Sequence, residues 1–167
     1  EQGYIYFLTM GRMSVEKNHT ALIKAFARLR KENENIRLVI IGTGPLEKQI
    51  KNLVDRENLC PYVTLTGNIN NPFVFMERSD CFILPSIHEG QPMVLLEARV
   101  CDMPIIVSDF STVNDSLYPN GQLLIGQDEE SIYEGLKAFT EGKVPKCDFN
   151  LQQYNQEAYE EFQMAIQ

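Results

Sequence analysis

Two glutamates near the middle of the chain flank a predicted turn, with seven residues between them. Glu89 and Glu97 lie in the run HEGQPMVLLEA, which covers positions 88–98. The preceding run CFILP at positions 81–85 is short, apolar and bounded by a proline, which predicts a buried strand of a parallel sheet. Pro92 has the fixed φ and the missing N–H that suit the first position of a helix. Glu89 is therefore predicted in the loop before a helix, and Glu97 near its second turn.

The start of this predicted helix could bind an anion, and Glu97 could bind hydroxyl groups. Free backbone N–H groups at a helix N-terminus, here those of Met93 and Val94, attract negative charge. Glu97 has apolar neighbours one turn away on the same face, Val94 and Cys101, which predicts a partly buried carboxylate. A carboxylate in that position needs hydrogen-bond donors such as the hydroxyl groups of a ligand.

Two basic residues, Arg12 and Lys17, follow the first predicted strand, at the edge where open α/β sheets bind ligands. An arginine can bind phosphate oxygens with two N–H groups, and a lysine adds a mobile positive charge. Such a pair suits the diphosphate of a nucleotide. The formal net charge of the chain is −8, so on average it would repel a diphosphate, and local positive charge has to hold the ligand.

Apolar runs alternate with helical patterns along the whole chain. The predicted strands cover positions 4–10, 36–41, 62–66, 80–84, 104–107 and 122–125. The predicted helices cover positions 19–33, 45–57, 72–78, 92–102, 128–142 and 155–166, with residues 141–150 as a link to the last helix. This alternation predicts an α/β fold with a doubly wound parallel sheet of about six strands. At 167 residues the chain is a single domain.

Six short motifs accompany the two glutamates in a fixed order along the chain. They are Gly11-Arg12, Glu16-Lys17-Asn18, Gly42-Thr43-Gly44-Pro45, Gly67, Pro85-Ser86 and the run PIIVS at positions 104–108. Together with the spacing of the glutamates, this set resembles the retaining glycosyltransferases of family 4, also called group 1, which have the GT-B fold. Each match alone is weak evidence, but the common order of all of them is specific.

The resemblance implies that the chain is one Rossmann-like half of a GT-B glycosyltransferase. Such enzymes hold the donor mainly in the C-terminal domain and the acceptor in the N-terminal domain. We therefore predict that residues 1–167 form the C-terminal, donor-binding domain, and the start in mid-strand without an initiator methionine supports excision from a longer chain. The expected partners are a nucleotide-diphosphate sugar, in the first place a UDP-sugar, and the missing N-terminal domain. Alone, the chain is expected to transfer no sugar.

The resemblance also implies roles for individual residues. Arg12 and Lys17 would bind the diphosphate and stabilise its negative charge as it leaves, and Glu89 would act beside the donor sugar. Glu97 would accept hydrogen bonds from the ribose hydroxyls. No metal and no cofactor is expected. The predicted donor-binding residues are Gly11, Arg12, Lys17, Gly42, Gly44, Gly67, His88, Glu89, Gly90, Met93, Val94 and Glu97.

Several of these residues have a simpler alternative. Gly42 and Gly44 either bring the backbone close to the base or ribose or only form a tight turn. A dinucleotide-binding fingerprint is excluded, because Glu47 occupies the position of its third glycine. His88 either contacts the donor sugar or is solvated. His19, at the start of the first helix, is predicted to be solvated.

Four positions depart from the family pattern. Asp102 stands where a glycine usually precedes the proline of the fifth strand, and Ser111 and Thr112 replace a Gly-Gly pair. Asp115 replaces a glutamate. Because glycines let a ligand approach the backbone closely, these changes bear on the shape of the sugar pocket.

Composition excludes other functions. The net charge of −8 argues against nucleic-acid binding, because no basic stripe faces phosphates. No apolar run approaches the roughly 18 residues of a membrane-spanning helix. The four cysteines, Cys60, Cys81, Cys101 and Cys147, lack paired spacing, which favours buried reduced thiols and a cytoplasmic location.

Two alternatives to the predicted function stay open at this stage. The motif EGQPMVLLE is similar to some bacterial cell-wall or teichoic-acid-type transferases, which would place the parent enzyme at the cytoplasmic face of the membrane. A sugar-phosphate or glycogen-type transferase would share the fold. From a different class, the chain could be a catalytically silent nucleotide-sugar sensor or scaffold module.

Overall fold

Six parallel strands form one sheet in the computed structural model, which describes residues 3–113, 121–147 and 149–165. The strands are β1 (Ile5–Met10), β2 (Ile36–Ile41), β3 (Val63–Gly67), β4 (Cys81–Leu84), β5 (Ile105–Ser108) and β6 (Gln122–Ile125). Their order in the sheet is β3-β2-β1-β4-β5-β6. The predicted α/β fold is confirmed, and every strand begins and ends within one residue of its predicted bounds.

Helices cover both faces of this sheet. They are α1 (His19–Arg30), α2 (Glu47–Arg56), α3 (Phe73–Met76), α4 (Met93–Val100), α5 (Glu129–Thr140) and α6 (Leu151–Ala165), and a short 3₁₀ helix, Val15–Lys17, precedes α1. One layer of buried apolar side chains lies between the sheet and α1, α2 and α5, and a second lies between the sheet and α3 and α4. Adjacent residues of a strand point to opposite faces, so Phe7 packs in the first layer and Leu8 in the second.

The strand order places the ends of β1 and β4 side by side. Phe7 and Leu8 of β1 pair with Cys81 and Phe82 of β4, while the other edge of β1 pairs with β2. The chain therefore winds outward in opposite directions from β1 and β4. In open α/β sheets this switch point forms a crevice at the carboxyl ends of the strands, where ligands bind.

The last helix begins earlier than predicted. Helix α6 starts at Leu151, whereas the sequence pattern predicted a start at Asn155. The physical reason is a cap, because the Asn150 side-chain oxygen accepts hydrogen bonds from the N–H groups of Gln152 and Gln153, each at 3.1 Å. Asp115, one of the four departures from the family pattern, lies outside the described residues.

Asp102 adopts the left-handed conformation that glycine would adopt at the end of α4. Its φ is 53°, and its N–H donates to the Arg99 carbonyl at 2.9 Å. The Met103 N–H donates to the Ala98 carbonyl at 3.1 Å, which completes a Schellman motif. Asp102 therefore preserves the backbone turn that the usual glycine would make. Aspartate adopts this left-handed conformation more readily than most residues do.

We expect Asp102→Gly to stabilise the fold. Removing the Cβ relieves the left-handed strain, so the free energy of unfolding should rise by about 0.5–1 kcal/mol. Chemical denaturation followed by circular dichroism measures the change. Gly142→Ala is the matched reverse control, because Gly142 ends α5 with the same motif at φ 72° and a Cβ there would meet no atom within 4 Å. A lower midpoint for Asp102→Gly would show that the aspartate side chain itself stabilises the helix end.

The four cysteines differ in burial. Cys81 and Cys147 are buried, Cys101 is partly buried, and Cys60 is exposed, so the expectation of buried thiols is wrong for Cys60. Burial, followed by the charge of Asp80, raises the pKa of the Cys81 thiol well above its usual value. This thiol is therefore unreactive. Within the described ranges, no helix combines the length and the apolar character needed to cross a bilayer.

Candidate functional site

The carboxyl ends of β1 and β4 bring a lysine and a glutamate together. Lys17 Nζ lies 2.6 Å from Glu89 Oε1, although the two residues are 72 positions apart in sequence. The Ser86 hydroxyl donates to the same carboxylate oxygen, also at 2.6 Å. The exposed fraction of the side chain is 23% for Lys17 and 9% for Glu89. Two of the predicted site residues thus form a largely buried ion pair at the switch point.

The loops that carry the two charges are also joined through their backbones. The Ile87 N–H donates to the Glu16 carbonyl at 2.7 Å, directly beside the two charged residues. The stem of Lys17 crosses Gly11, where an added Cβ would lie 3.2 Å from Lys17 Cδ. Gly11 therefore leaves room for the lysine to reach back toward Glu89.

Two glycines after β2 are required by the neighbouring loop of the chain itself. A Cβ on Gly42 would lie 2.1 Å from the Gly11 carbonyl oxygen, and a Cβ on Gly44 would lie 2.5 Å from that of Met13. Gly42 also has a φ of 131°, and its N–H donates to the Gly67 carbonyl at 2.9 Å. The sequence predicted that these glycines either bring the backbone close to the base or ribose or only form a tight turn, and the structure shows in addition that they make room for the loop after β1.

These packed loops border an open cleft of about 780 Å³ at the ends of β1, β2 and β3. Arg12, which is exposed, lines the cleft together with residues 42–45 and with Asn68 and Ile69. Of the predicted site residues, the lining contains Gly11, Arg12, Gly42 and Gly44, whereas Lys17 and Glu89 lie outside it. The predicted site therefore consists of a cleft lined by the exposed Arg12 and an adjacent, largely buried ion pair.

The start of α4 differs in detail from the prediction. Pro92 is the residue before the first helical position, and the Met93 N–H already donates to the Gln91 carbonyl at 2.9 Å. The Met93 N–H is therefore not a free donor as predicted. Glu97 is partly buried, as expected, and no described residue donates a hydrogen bond to its carboxylate. His88 and Gly90 are exposed on the loop before the helix.

His19 is buried, so the prediction that it is solvated is wrong. It is 2% exposed, and Val15 of the segment after β1 lies near it together with Leu46 and Ile87. Burial, together with the nearby charge of Lys17, lowers the pKa of His19 to about 4. The imidazole is therefore neutral at pH 7, and it adds no positive charge to the site.

Three further side chains shape the site, and none of them was predicted to hold the loop that carries Glu89. The Ser108 hydroxyl donates to the Leu84 carbonyl at 3.2 Å and also to the Ser86 carbonyl. The Thr112 hydroxyl donates to the Glu89 carbonyl at 2.7 Å. The Gln127 amide donates to the Ile87 carbonyl at 3.1 Å. The available signal was their position, since all three are polar residues at or after the ends of β5 and β6.

Comparison with known proteins gives the family. The model of the glycosyl transferases group 1 family matches residues 1–159. The chain belongs to this family. The match covers the whole sheet and all of the site residues described above, so the group 1 resemblance predicted from the motifs is confirmed.

Relatives with named activities are glycosyltransferases. The chain is 31% identical over 164 residues to N-acetylgalactosamine-N,N'-diacetylbacillosaminyl-diphospho-undecaprenol 4-alpha-N-acetylgalactosaminyltransferase of Campylobacter jejuni, which is 96% of this chain and 44% of that protein. It is 34% identical over 145 residues to UDP-Gal:alpha-D-GlcNAc-diphosphoundecaprenol alpha-1,3-galactosyltransferase of Escherichia coli, covering 83% of this chain and 37% of that protein. The chain thus spans less than half the length of these relatives.

Solved structures share the fold. Anabaena HepE in complex with UDP and glucose superposes with a TM-score of 0.78 at 15% identity, over 96% of this chain and 48% of that one. The pneumococcal O-GlcNAc transferase GtfA in complex with UDP and GlcNAc superposes with a TM-score of 0.74 at 22% identity, over 86% of this chain and 31% of that one. These likenesses support the Rossmann-like architecture of GT-B glycosyltransferases.

Proposed function

We propose that this chain is the donor-binding domain of a retaining glycosyltransferase that uses a nucleotide-diphosphate sugar. The observation that carries the proposal is the ion pair between Lys17 and Glu89 at the crevice between β1 and β4. A separate N-terminal domain would hold the acceptor. This chain matches less than half of the length of its two named relatives, which leaves room for such a domain in a complete enzyme. The enzyme would act in the cytoplasm.

The ion pair places two opposite charges where the proposed reaction separates charge. Breaking the bond between the sugar and the diphosphate builds negative charge on the leaving group and positive charge on the sugar. A lysine ammonium has three N–H donors, so Lys17 can donate to Glu89 and to a phosphate oxygen at once. Glu89 would lie beside the sugar and stabilise its positive charge. Because Glu89 offsets Lys17, Arg12 supplies the net positive charge that holds the diphosphate, and no metal is required.

The remaining predicted residues fit the nucleotide part of the donor. The cleft at the ends of β1, β2 and β3 has room for a base and ribose, and the close-packed glycine loops form its wall. Glu97 has a partly buried carboxylate without a donor from the described residues, so ribose hydroxyls would satisfy it. The exposed loop residues His88 and Gly90 would face the sugar.

The names of the relatives narrow the expected substrates. The Escherichia coli relative uses UDP-Gal, and two of the fold neighbours were solved with UDP and a sugar, so a UDP-sugar is the proposed donor. The Campylobacter jejuni and Escherichia coli relatives both act on diphosphate-linked undecaprenol compounds. An acceptor linked to a lipid diphosphate would bring the complete enzyme to the cytoplasmic face of the membrane, in cell-envelope synthesis. The acceptor would attack the anomeric carbon from the face that the diphosphate leaves, and the leaving diphosphate would activate the acceptor. This displacement would retain the configuration of the anomeric carbon.

The test is a calorimetric titration of this chain with uridine, UDP and UDP-sugars, compared with the GDP, ADP and CDP counterparts. We expect one nucleotide series to bind, and Glu97→Ala to lower the affinity for nucleoside, nucleotide and nucleotide-sugar about equally, by roughly 10-fold, because ribose is common to all three. Glu57→Ala, an exposed glutamate just after α2, is the matched control. If no nucleotide binds, the proposed function is wrong, and if only the sugar-bearing ligands lose affinity, Glu97 does not bind ribose.

A further inference from the structure

The loop that carries Glu89 is held by side chains from other strands. Residues 85–92 connect β4 to α4, and hydrogen bonds from outside the loop reach three of its carbonyl groups. The donors are Ser108 to the Ser86 carbonyl, Gln127 to the Ile87 carbonyl, and Thr112 to the Glu89 carbonyl. Ser108 ends β5, Thr112 lies in the segment after β5, and Gln127 lies just after β6.

Thr112 is the donor that acts on Glu89 itself. Its hydroxyl lies 2.7 Å from the Glu89 carbonyl oxygen, and the side chain is partly buried. The family pattern has a glycine at this position, and a glycine could not make this bond. The loop backbone at Glu89 is thereby connected to the segment after β5, while the carboxylate of the same residue is connected to Lys17 after β1.

Gln127 connects the same loop to two further segments. Its side-chain amide donates to the Ile87 carbonyl at 3.1 Å and to the Asp109 carbonyl at 2.5 Å, and its backbone carbonyl accepts from the Asn18 side chain at 2.8 Å. Asn18 directly follows Lys17 in the chain. Gln127 therefore bridges the loops that carry the two charges of the ion pair.

We propose that Thr112 is a positioning residue. The Thr112 hydroxyl fixes the backbone of Glu89 so that the Glu89 carboxylate meets Lys17 beside the reacting sugar. Gln127 assists by holding the neighbouring Ile87 carbonyl. This inference rests on the proposed function for its catalytic consequence. Lys17 follows β1 and Thr112 follows β5, the two strands that flank β4, so the Thr112 bond holds the Glu89 backbone independently of the ion pair, and its loss lets the loop shift. Small displacements of a catalytic group lower turnover strongly while the rest of the binding site is unchanged.

The experiment compares Thr112→Val, which keeps the shape but lacks the hydroxyl, with Thr112→Ser, which keeps the hydroxyl. Two readouts are used. Hydrogen–deuterium exchange of this chain, followed by mass spectrometry, measures the opening of residues 86–92. Turnover of the UDP-sugar, with kcat and KM determined separately, is measured in the complete enzyme. Thr140→Val is the matched control, because the Thr140 hydroxyl is also partly buried and donates to a backbone carbonyl, that of Lys137, at 2.8 Å.

We expect Thr112→Val to speed exchange of the loop and to lower kcat about tenfold, with the KM for donor within about twofold. Thr112→Ser should behave nearly as wild type. Gln127→Glu replaces the amide that donates to two carbonyl groups with a carboxylate that can only accept. Like Thr112→Val, it should speed exchange of the loop and lower kcat. Thr140→Val should leave both readouts unchanged apart from a small loss of stability.

The positioning role is overturned if Thr112→Val leaves loop exchange unchanged, or if Thr140→Val lowers kcat as much. It is also overturned if Thr112→Val raises KM while kcat is constant, since this would indicate direct contact with the donor. Failure of the proposed function has a different signature. In that case the wild-type protein turns over no nucleotide-sugar, and the exchange comparison alone decides whether Thr112 holds the loop.

Discussion

We expect Glu89→Gln to lower donor turnover by about 100-fold in the complete enzyme and to leave the affinity for bare UDP within about threefold. The glutamine keeps the size of the side chain and can still accept a hydrogen bond from Ser86, but it has no charge to stabilise the sugar cation. The bare nucleotide lacks the sugar, so its binding does not depend on this charge. Loss of Glu89 also frees Lys17 for the phosphates, which preserves nucleotide affinity further.

Steady-state kinetics and calorimetry on the same variant check this result. Glu89→Ala should behave alike, with an additional loss of stability because Lys17 then has no partner in the described site. Glu130→Gln is the control, because Glu130 also pairs with a basic residue, Arg28, but does so at the surface between α1 and α5. Loss of UDP binding in Glu89→Gln together with normal binding in Glu97→Ala would reverse the two assigned roles.

Lys17→Ala is expected to lower the affinity for UDP about 10- to 150-fold and to leave uridine binding within about twofold. The range corresponds to roughly 1.5–3 kcal/mol for a hydrogen bond to a charged group. Uridine lacks phosphates, so the difference between the two ligands isolates the phosphate contact. Arg12→Ala should show the same selectivity. Equal losses for UDP and uridine would remove either residue from the phosphate site.

The structure adds a stability effect to the Lys17 variant. The Glu89 side chain is 9% exposed with Lys17 in place, and without the lysine its carboxylate retains only the Ser86 hydroxyl as a side-chain donor among the described residues. A buried charge that loses its partner is costly, and for this partly solvated pair we expect a loss of about 1–2 kcal/mol. The double variant Lys17→Ala with Glu89→Ala should then be more stable than Lys17→Ala alone. Thermal unfolding of the four proteins of this cycle measures the coupling.

The sequence by itself determined the secondary structure and the edge at which the site lies. Buried parallel strands are short apolar runs, so β1 to β6 stand out in the sequence with their bounds nearly correct. The ends of the helices were predicted less accurately than those of the strands, because a capping residue can begin a helix outside the stretch with hydrophobic periodicity. Asn150 begins α6 four residues before the predicted start. The six motifs predicted the family because their order along the chain can be recognised from the sequence without knowing how the chain packs.

Which residues touch was decided only by the tertiary structure. Lys17 meets Glu89 because β4 inserts beside β1 in the sheet, and no local pattern specifies that neighbour. For the same reason the sequence predicted a ligand contact or a tight turn at Gly42 and did not indicate that the Gly11 backbone packs against it.

Amino-acid type alone also gave incomplete or wrong predictions where a side chain's burial and contacts depend on tertiary packing. His19 is polar and begins a helix, which predicts exposure, yet it is buried, and burial keeps it neutral. Thr112, judged from the sequence only as a missing glycine, supplies a hydrogen bond to Glu89. Hydrophobic periodicity records which face of an element is buried, whereas contacts between loops depend on the order in which the strands assemble.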